Sequence, residues 1–146
     1  MKFIHLTDTH MMGKGLSNWG LDPEWRLRQA IKSVRSDHND ASFCVVTGDL
    51  THLGNEYAYE SFFEIIRDID MPIHLVLGNH DDREGLSKHL PRFCFDEFGF
   101  VQYKFQIGDA YGIVVDTVRE RSHSGEFCYL RAKALEKLLN ECEDKK

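Results

Sequence analysis

The sequence predicts an α/β fold in which a mostly parallel sheet meets a second, mostly antiparallel sheet with helices outside, an α/β/β/α layering. Three observations carry that expectation. Apolar segments at residues 1–7, 42–47 and 73–77 each precede a stretch of helical spacing, and successive strand-then-helix units imply parallel strands joined by crossovers. Two alternating segments, 101–107 and 111–115, flank Gly108-Asp109, a hairpin signal. The chain has 146 residues, 42% apolar and 29% charged, which is long enough and ordinary enough in composition for one domain, 1–146, with its own core.

Each element has a local reason. Residues 1–7 set Phe3, His5 and Thr7 against Ile4 and Leu6 and run straight into Asp8-Thr9-His10, where strand periodicity places Asp8 and His10 on one side of the backbone. Residues 11–20 hold three glycines and read as a loop. Asp22, Pro23 and Glu24 supply an N-cap, a first-position proline and a first-turn acid. Trp25, Leu27, Ala30, Ile31 and Val34 form the apolar stripe of the helix that follows. A second buried strand, 42–47, ends in Gly48-Asp49, and Asn55-Glu56 opens a helix whose buried face is Ala58, Phe62, Ile65, Ile66 and Ile69.

Pro72 leads into a third strand, which ends in Gly78 and then presents Asn79, His80 and Asp81 in succession. A short helix is expected over 82–90, and an aromatic-rich segment with Phe93, Phe95, Phe98 and Phe100 precedes the hairpin. Residues 119–125 read as a polar loop, and Leu130, Ala134, Leu138 and Cys142 mark a last helix.

In an open α/β sheet, ligands gather beyond the carboxyl ends of the strands. Asp8, His10, Asp49 and Asn79 are oxygen and imidazole donors delivered to that edge by three separate strands. Singly, Asp8 could cap a turn, Asp49 hold a loop and Asn79 occupy a left-handed position. Together, with Gly48 and Gly78 permitting close backbone approach, they read as a metal site.

The order Asp8-x-His10, Gly48-Asp49 and Gly78-Asn79-His80-Asp81 resembles the calcineurin-like metallophosphoesterase superfamily. Within it, the short loop after His10 and the run 77–82 most resemble the bacterial class III cyclic-nucleotide phosphodiesterases and their glycerophosphodiesterase relatives. The resemblance implies two divalent ions, of Mn, Fe, Co or Zn. Asp8, His10 and Asp49 would hold the first, Asp49 would bridge to the second, and Asn79 would ligate the second. It implies hydrolysis of a small phosphodiester by a metal-bound hydroxide, bridging or terminal. His80 would contact the phosphate and protonate the departing alkoxide, and Asp81 would orient His80. His52 stands where protein phosphatases of the superfamily carry an aspartate, which argues against that branch.

The family continues with a further strand bearing a histidine and a Gly-His-x-His segment, whereas this sequence stops at Lys146, so the expectation is an N-terminal portion with incomplete metal shells. Such a portion would expose apolar sheet surface, predicting a partner chain, self-association or marginal stability. A non-catalytic binding scaffold, an inactive fragment and a nuclease of the same superfamily are the alternatives.

His123 reads as an exposed loop histidine, and His5, His38, His74 and His89 as structural. Trp19, Trp25 and the four phenylalanines could stack on a base, although packing is the commoner use. The formal charge of −6 comes without any basic run, which argues against nucleic acid. Two divalent ions would offset four of those charges and admit an anionic substrate. No apolar segment approaches the length of a membrane helix, the N-terminus turns polar too soon for a signal peptide, and Cys44, Cys94, Cys128 and Cys142 form no CxxC pair. A cytoplasmic protein with reduced cysteines is expected.

Overall fold

The computed structural model of the chain describes residues 1–143. Three strands, β1 (Ile4–Leu6), β2 (Cys44–Thr47) and β3 (Ile73–Val76), form a parallel sheet in sequential order, with Ile4 opposite Cys44 and Cys44 opposite Ile73. Helix α1 (Pro23–Asp37) separates β1 from β2, and α2 (Glu56–Ile66) separates β2 from β3. Both begin where a side chain replaces the missing intrahelical acceptor. Asp22 accepts from the Trp25 N–H at 2.9 Å, and Asn55 accepts from the Ala58 N–H at 2.9 Å.

Register puts Ile4 and Leu6, Cys44 and Val46, and Ile73 and Leu75 on one face of the sheet. That face shares a single apolar cluster with Leu27, Ile31 and Val34 of α1 and Tyr59, Phe62, Ile65 and Ile66 of α2. The predicted stripe needs two adjustments. Trp25 is 60% exposed, because the buried positions of α1 run through Leu27, Ile31 and Val34 instead. Ile69 is buried as expected but lies beyond α2 in the turn that follows it.

The opposite face carries His5, Val45 and His74. It is polar at its β1 end, where His5 Nε2 meets Thr47 Oγ1 at 2.6 Å. At its β3 end the His74 ring stacks on Phe105, with centroids 3.4 Å apart.

Phe105 belongs to the antiparallel hairpin of β4 (Tyr103–Ile107) and β5 (Ala110–Val114), joined by Gly108-Asp109. Positive φ falls on Gly108 alone of the two turn residues, the sign pattern of a II′ turn. The hairpin also closes the free edge of β3. The Tyr103 hydroxyl accepts from the Leu75 N–H at 3.1 Å and reaches the Leu75 carbonyl at 3.4 Å, satisfying groups that no neighbouring strand takes. The fold is therefore mixed α/β with separate parallel and antiparallel sheets, as the sequence predicts.

Two short pieces, α3 (Arg83–Ser87) and a 3₁₀ turn at Arg92–Cys94, connect β3 to the hairpin, and α4 (Tyr129–Glu143) follows it. Arg83 donates from Nε and Nη2 to both carboxylate oxygens of the buried Asp116, each at 2.8 Å. The same carboxylate accepts from the Val101 and Val118 N–H groups. The predicted stripe of α4 is only partly used. Ala134 is buried and Leu130 is 40% exposed, while Arg131 turns inward to lie 4.3 Å from the Phe100 ring centre and to donate to the Val118 carbonyl. No helix among the described residues is long and apolar enough to cross a membrane.

Candidate metal centre

The loops leaving β1, β2 and β3 begin at one edge of the sheet, and left-handed backbone turns them toward each other. Asp8, His10 and Asp49 have φ of 53°, 42° and 46°, and Gly48 has 80°. Such a conformation costs a non-glycine residue of order 1–3 kcal/mol and survives only where its surroundings fix it. Here two loops pair by backbone bonds. Asp8 donates to Gly48 (3.2 Å), His10 to Asp49 (2.8 Å) and Met11 to Leu50 (3.0 Å). Asp8 and His10 thus come together by alternate left-handed residues; the pleat expected to align them has already ended at Leu6.

His10 Nε2 lies 3.9 Å from Asp8 Oδ1 and 3.7 Å from Asp49 Oδ2. One donor atom from each residue falls within 4.8 Å of the other two. These separations exceed a hydrogen bond and are slightly wider than the roughly 3 Å between neighbouring donors of a six-coordinate divalent ion. Two carboxylates and one imidazole, without thiolate, suit divalent ions that accept mixed oxygen and nitrogen donors. The residues present therefore fit a cation.

Asp49 also faces the tip of β3, where its Oδ1 accepts from the His80 N–H at 3.1 Å. That approach depends on Gly78, where an added Cβ would lie 2.2 Å from Asp49 Oδ1 and 2.3 Å from its backbone nitrogen. Asn79 is exposed, and its amide nitrogen lies 3.0 Å from His123 Nδ1. An amide nitrogen only donates, so the imidazole nitrogen accepts and the Asn79 Oδ1 is turned away from His123.

His80 is held by a partner other than the one expected. Its Nδ1 donates to the carbonyl oxygen of His52 at 2.9 Å, and its ring stacks on that of His52 with centroids 5.0 Å apart. Asp81, expected to orient His80, instead fixes the loop after β2. It accepts from the N–H groups of Leu50 (3.1 Å), Thr51 (3.0 Å) and Gly78 (2.9 Å). Burial pushes the Asp81 carboxyl above the ordinary carboxylate range, against the pull of those three bonds.

Two histidines join the site that sequence reasoning left outside it. His52 Nδ1 lies 3.5 Å from His10 Nδ1, and burial together with the neighbouring imidazoles of His80 and His10 holds it below the ordinary histidine value. Its place three residues after Asp49, in the same loop, was the available signal. His123 is exposed as expected, yet besides touching Asn79 its ring centre lies 6.0 Å from that of His80. No local pattern announces a contact across 44 residues.

A cleft of about 820 Å³ opens beside β1, lined by Asp8, His10, Trp19, Arg26, His52 and His80 among others. Trp19, at 92% exposed, is the aromatic that borders this space. Phe100, by contrast, packs between Arg83 and Arg131.

A parallel sheet whose strand tips gather two carboxylates and an imidazole within 4.8 Å of one another defines a candidate metal-binding protein. The family model for calcineurin-like phosphoesterases matches residues 1–142, and the chain belongs to that family. A probable cyclic nucleotide phosphodiesterase of Rhodopseudomonas palustris is 41% identical over 144 residues, which cover 97% of this chain and 52% of that protein. A probable glycerophosphodiester phosphodiesterase of Arcobacter nitrofigilis is 27% identical over 148 residues, 100% of this chain and 54% of that protein. A 3',5'-cyclic adenosine monophosphate phosphodiesterase of Haemophilus influenzae is 23% identical over 91 residues, 62% of this chain and 33% of that protein. The chain spans about half the length of the first two relatives.

Proposed function

We propose that this chain carries the catalytic edge of a cytoplasmic phosphodiesterase that hydrolyses a small diester, a cyclic nucleotide or a glycerophosphodiester, at a two-metal site. The observation that supports this most directly is the convergence of Asp8, His10 and Asp49 within 4.8 Å on left-handed backbone, with the His80 N–H on the same Asp49 carboxylate.

Asp8, His10 and Asp49 hold one ion in this reading. Asp49, with one oxygen toward His10 and the other on the His80 N–H, would be shared with a second ion, toward which Asn79 would offer its Oδ1. Two divalent ions supply Lewis-acid polarisation of the phosphoryl oxygens and an activated water at neutral pH. With Nδ1 on the His52 carbonyl, His80 keeps Nε2 for the substrate and, when protonated, donates to the leaving alkoxide oxygen. Arg26, in the wall of the cleft, offers a cation to the phosphate.

Asp8 has 60% of its side chain exposed, so the site is open toward solvent on that side. A preference for small diesters over nucleic acid is consistent with the net charge of −6 and the absence of a basic run.

The test is hydrolysis of a simple aryl phosphodiester with added Mn²⁺, against a chelated sample and an Asn79→Ala variant. Metal-dependent turnover lost in Asn79→Ala supports the reading. A folded, metal-saturated protein without turnover would reduce this chain to a binding scaffold or an inactive portion of the fold.

A further inference from the structure

We infer that His10, His52 and His80 form a second, nitrogen-only cation site that takes a borderline transition ion such as Zn²⁺, and that filling it switches the phosphoester site off. One ring nitrogen from each histidine lies within 4.8 Å of the other two. The three rings are mutual neighbours, with His10 edge-on to His80 at 5.0 Å and to His52 at 5.4 Å, and His52 stacked on His80 at 5.0 Å.

The closest nitrogens share a long hydrogen bond, whose proton a cation would displace. His10 Nδ1 and His52 Nδ1 are 3.5 Å apart, long for a hydrogen bond between ring nitrogens. Two imidazole nitrogens at about 2.0–2.1 Å from a tetrahedral zinc stand about 3.3–3.4 Å from each other. His80 supplies the third. A carbonyl oxygen can only accept, so the 2.9 Å contact to His52 fixes the proton of neutral His80 on Nδ1 and leaves the lone pair on Nε2.

The two sites compete for one residue. His10 turns Nε2 toward Asp8 and Asp49 and Nδ1 toward His52. A neutral imidazole has a single lone pair on nitrogen, so giving Nδ1 to a cation leaves the proton on Nε2 and withdraws that nitrogen from the carboxylates. Ion chemistry then decides which site fills. Mn²⁺ favours the carboxylate-rich cluster, whereas Zn²⁺, Ni²⁺ and Cu²⁺ bind imidazole more strongly. An ion in the imidazole cluster removes His10 from the first metal shell and Nε2 of His80 from the leaving oxygen. The inhibitory half of this inference rests on the proposed function; the binding half does not.

The test uses the whole chain, freed of metal, and reads binding before activity. Zn²⁺ and Mn²⁺ affinities are measured by competition with a chromophoric chelator, and Co²⁺ is added as a spectroscopic probe. His52→Gln is expected to weaken Zn²⁺ about tenfold or more while changing Mn²⁺ much less, and to abolish the intense visible absorption of four-coordinate cobalt. Asp8→Asn is expected to do the reverse, weakening Mn²⁺ and leaving that cobalt spectrum in place. His52→Ala is the second variant, and circular dichroism establishes that each protein is folded.

Zinc affinity unchanged in both folded His52 variants would overturn the site, as would a zinc loss in Asp8→Asn equal to its manganese loss. Where the chain turns over substrate with Mn²⁺, micromolar excess Zn²⁺ should slow the wild type and slow His52→Gln less, each against its own zinc-free rate. Equal inhibition of the two would overturn the switch while leaving the proposed activity intact. Absence of any turnover would count against that activity and leave the binding result to decide the site.

Discussion

Replacing Gly78 with alanine tests whether close packing of two strand tips is what places the Asp49 carboxylate. Gly78 does not have a positive φ, so the new methyl group adds no backbone strain of its own. The perturbation is steric, and it acts on one residue. The added Cβ would lie 2.2 Å from Asp49 Oδ1, 2.3 Å from Asp49 N and 2.9 Å from Asp49 Cγ, whereas side-chain carbons essentially never approach other heavy atoms within 3.0 Å. Moving from 2.2 Å to that limit shifts the carboxylate by most of an ångström, and the backbone contact at 2.3 Å prevents the side chain from absorbing it alone. Overpacking of this kind costs roughly 1–3 kcal/mol. For a chain of this size that corresponds to a fall in Tm of roughly 3–10 °C. A displacement near 1 Å at a reacting centre costs about 100-fold in rate. The assays are thermal unfolding of the metal-free protein, Mn²⁺ affinity, and turnover wherever the wild type shows it. Gly78→Ala with wild-type Tm and wild-type Mn²⁺ affinity would refute the placement of Asp49 against the β3 tip.

Three other expectations follow from particular contacts. Asp116→Ala leaves the Arg83 guanidinium half-buried without its carboxylate, and the unfolding free energy should drop by about 3–5 kcal/mol in urea titration. Thiol labelling of the native protein at pH 7.5 should modify Cys128 first, because backbone N–H bonds hold its thiol below the usual value, while burial pushes Cys44 and Cys94 up to about 11 and should protect them until unfolding. Burial against Phe105 lowers the His74 value from its ordinary 6.5, so the unfolded chain binds that proton more readily than the folded one. Its contribution to stability is present above the ordinary value and is lost as pH falls from there through the lowered folded value, and His74→Phe should flatten that part of a stability–pH curve measured from pH 7.5 downward.

Much of this molecule is legible in the sequence because its signals are local. Asp22-Pro23-Glu24 and Asn55-Glu56 announce two helix starts, and both are capped as their chemistry dictates. Gly108-Asp109 announces the hairpin. The candidate donor residues are legible for a different reason. Each follows a strand directly, so finding three parallel strands is enough to bring Asp8, Asp49 and Asn79 toward one edge. What escapes is whatever depends on side chains meeting across the sheet edge. His52 and His123 sit in loops whose paths are set by tertiary bonds; the place of His52 three residues after Asp49 is a local hint, and His123 has none. The role of Asp81 escapes too, since nothing local says where its carboxylate turns. In the structure its carboxylate turns back to the three N–H groups that hold the Asp49 loop.

Those three N–H groups explain how the site tolerates its own strain. Asp8, His10 and Asp49 all adopt a backbone that L-residues avoid, and loops free to relax would abandon it. They are not free. The β1 loop bonds to the β2 loop through Asp8, His10 and Met11, and the β2 loop is clamped to the β3 tip by Asp81 through Leu50, Thr51 and Gly78. Arg83, five residues after Gly78, then ties that tip to the hairpin through Asp116. The antiparallel part is thus mechanically continuous with the donor residues although it contributes none of them. Loss of Asp116 should therefore loosen the donor geometry as well as lower global stability, because the chain of fixed contacts that begins at the hairpin ends at Asp49.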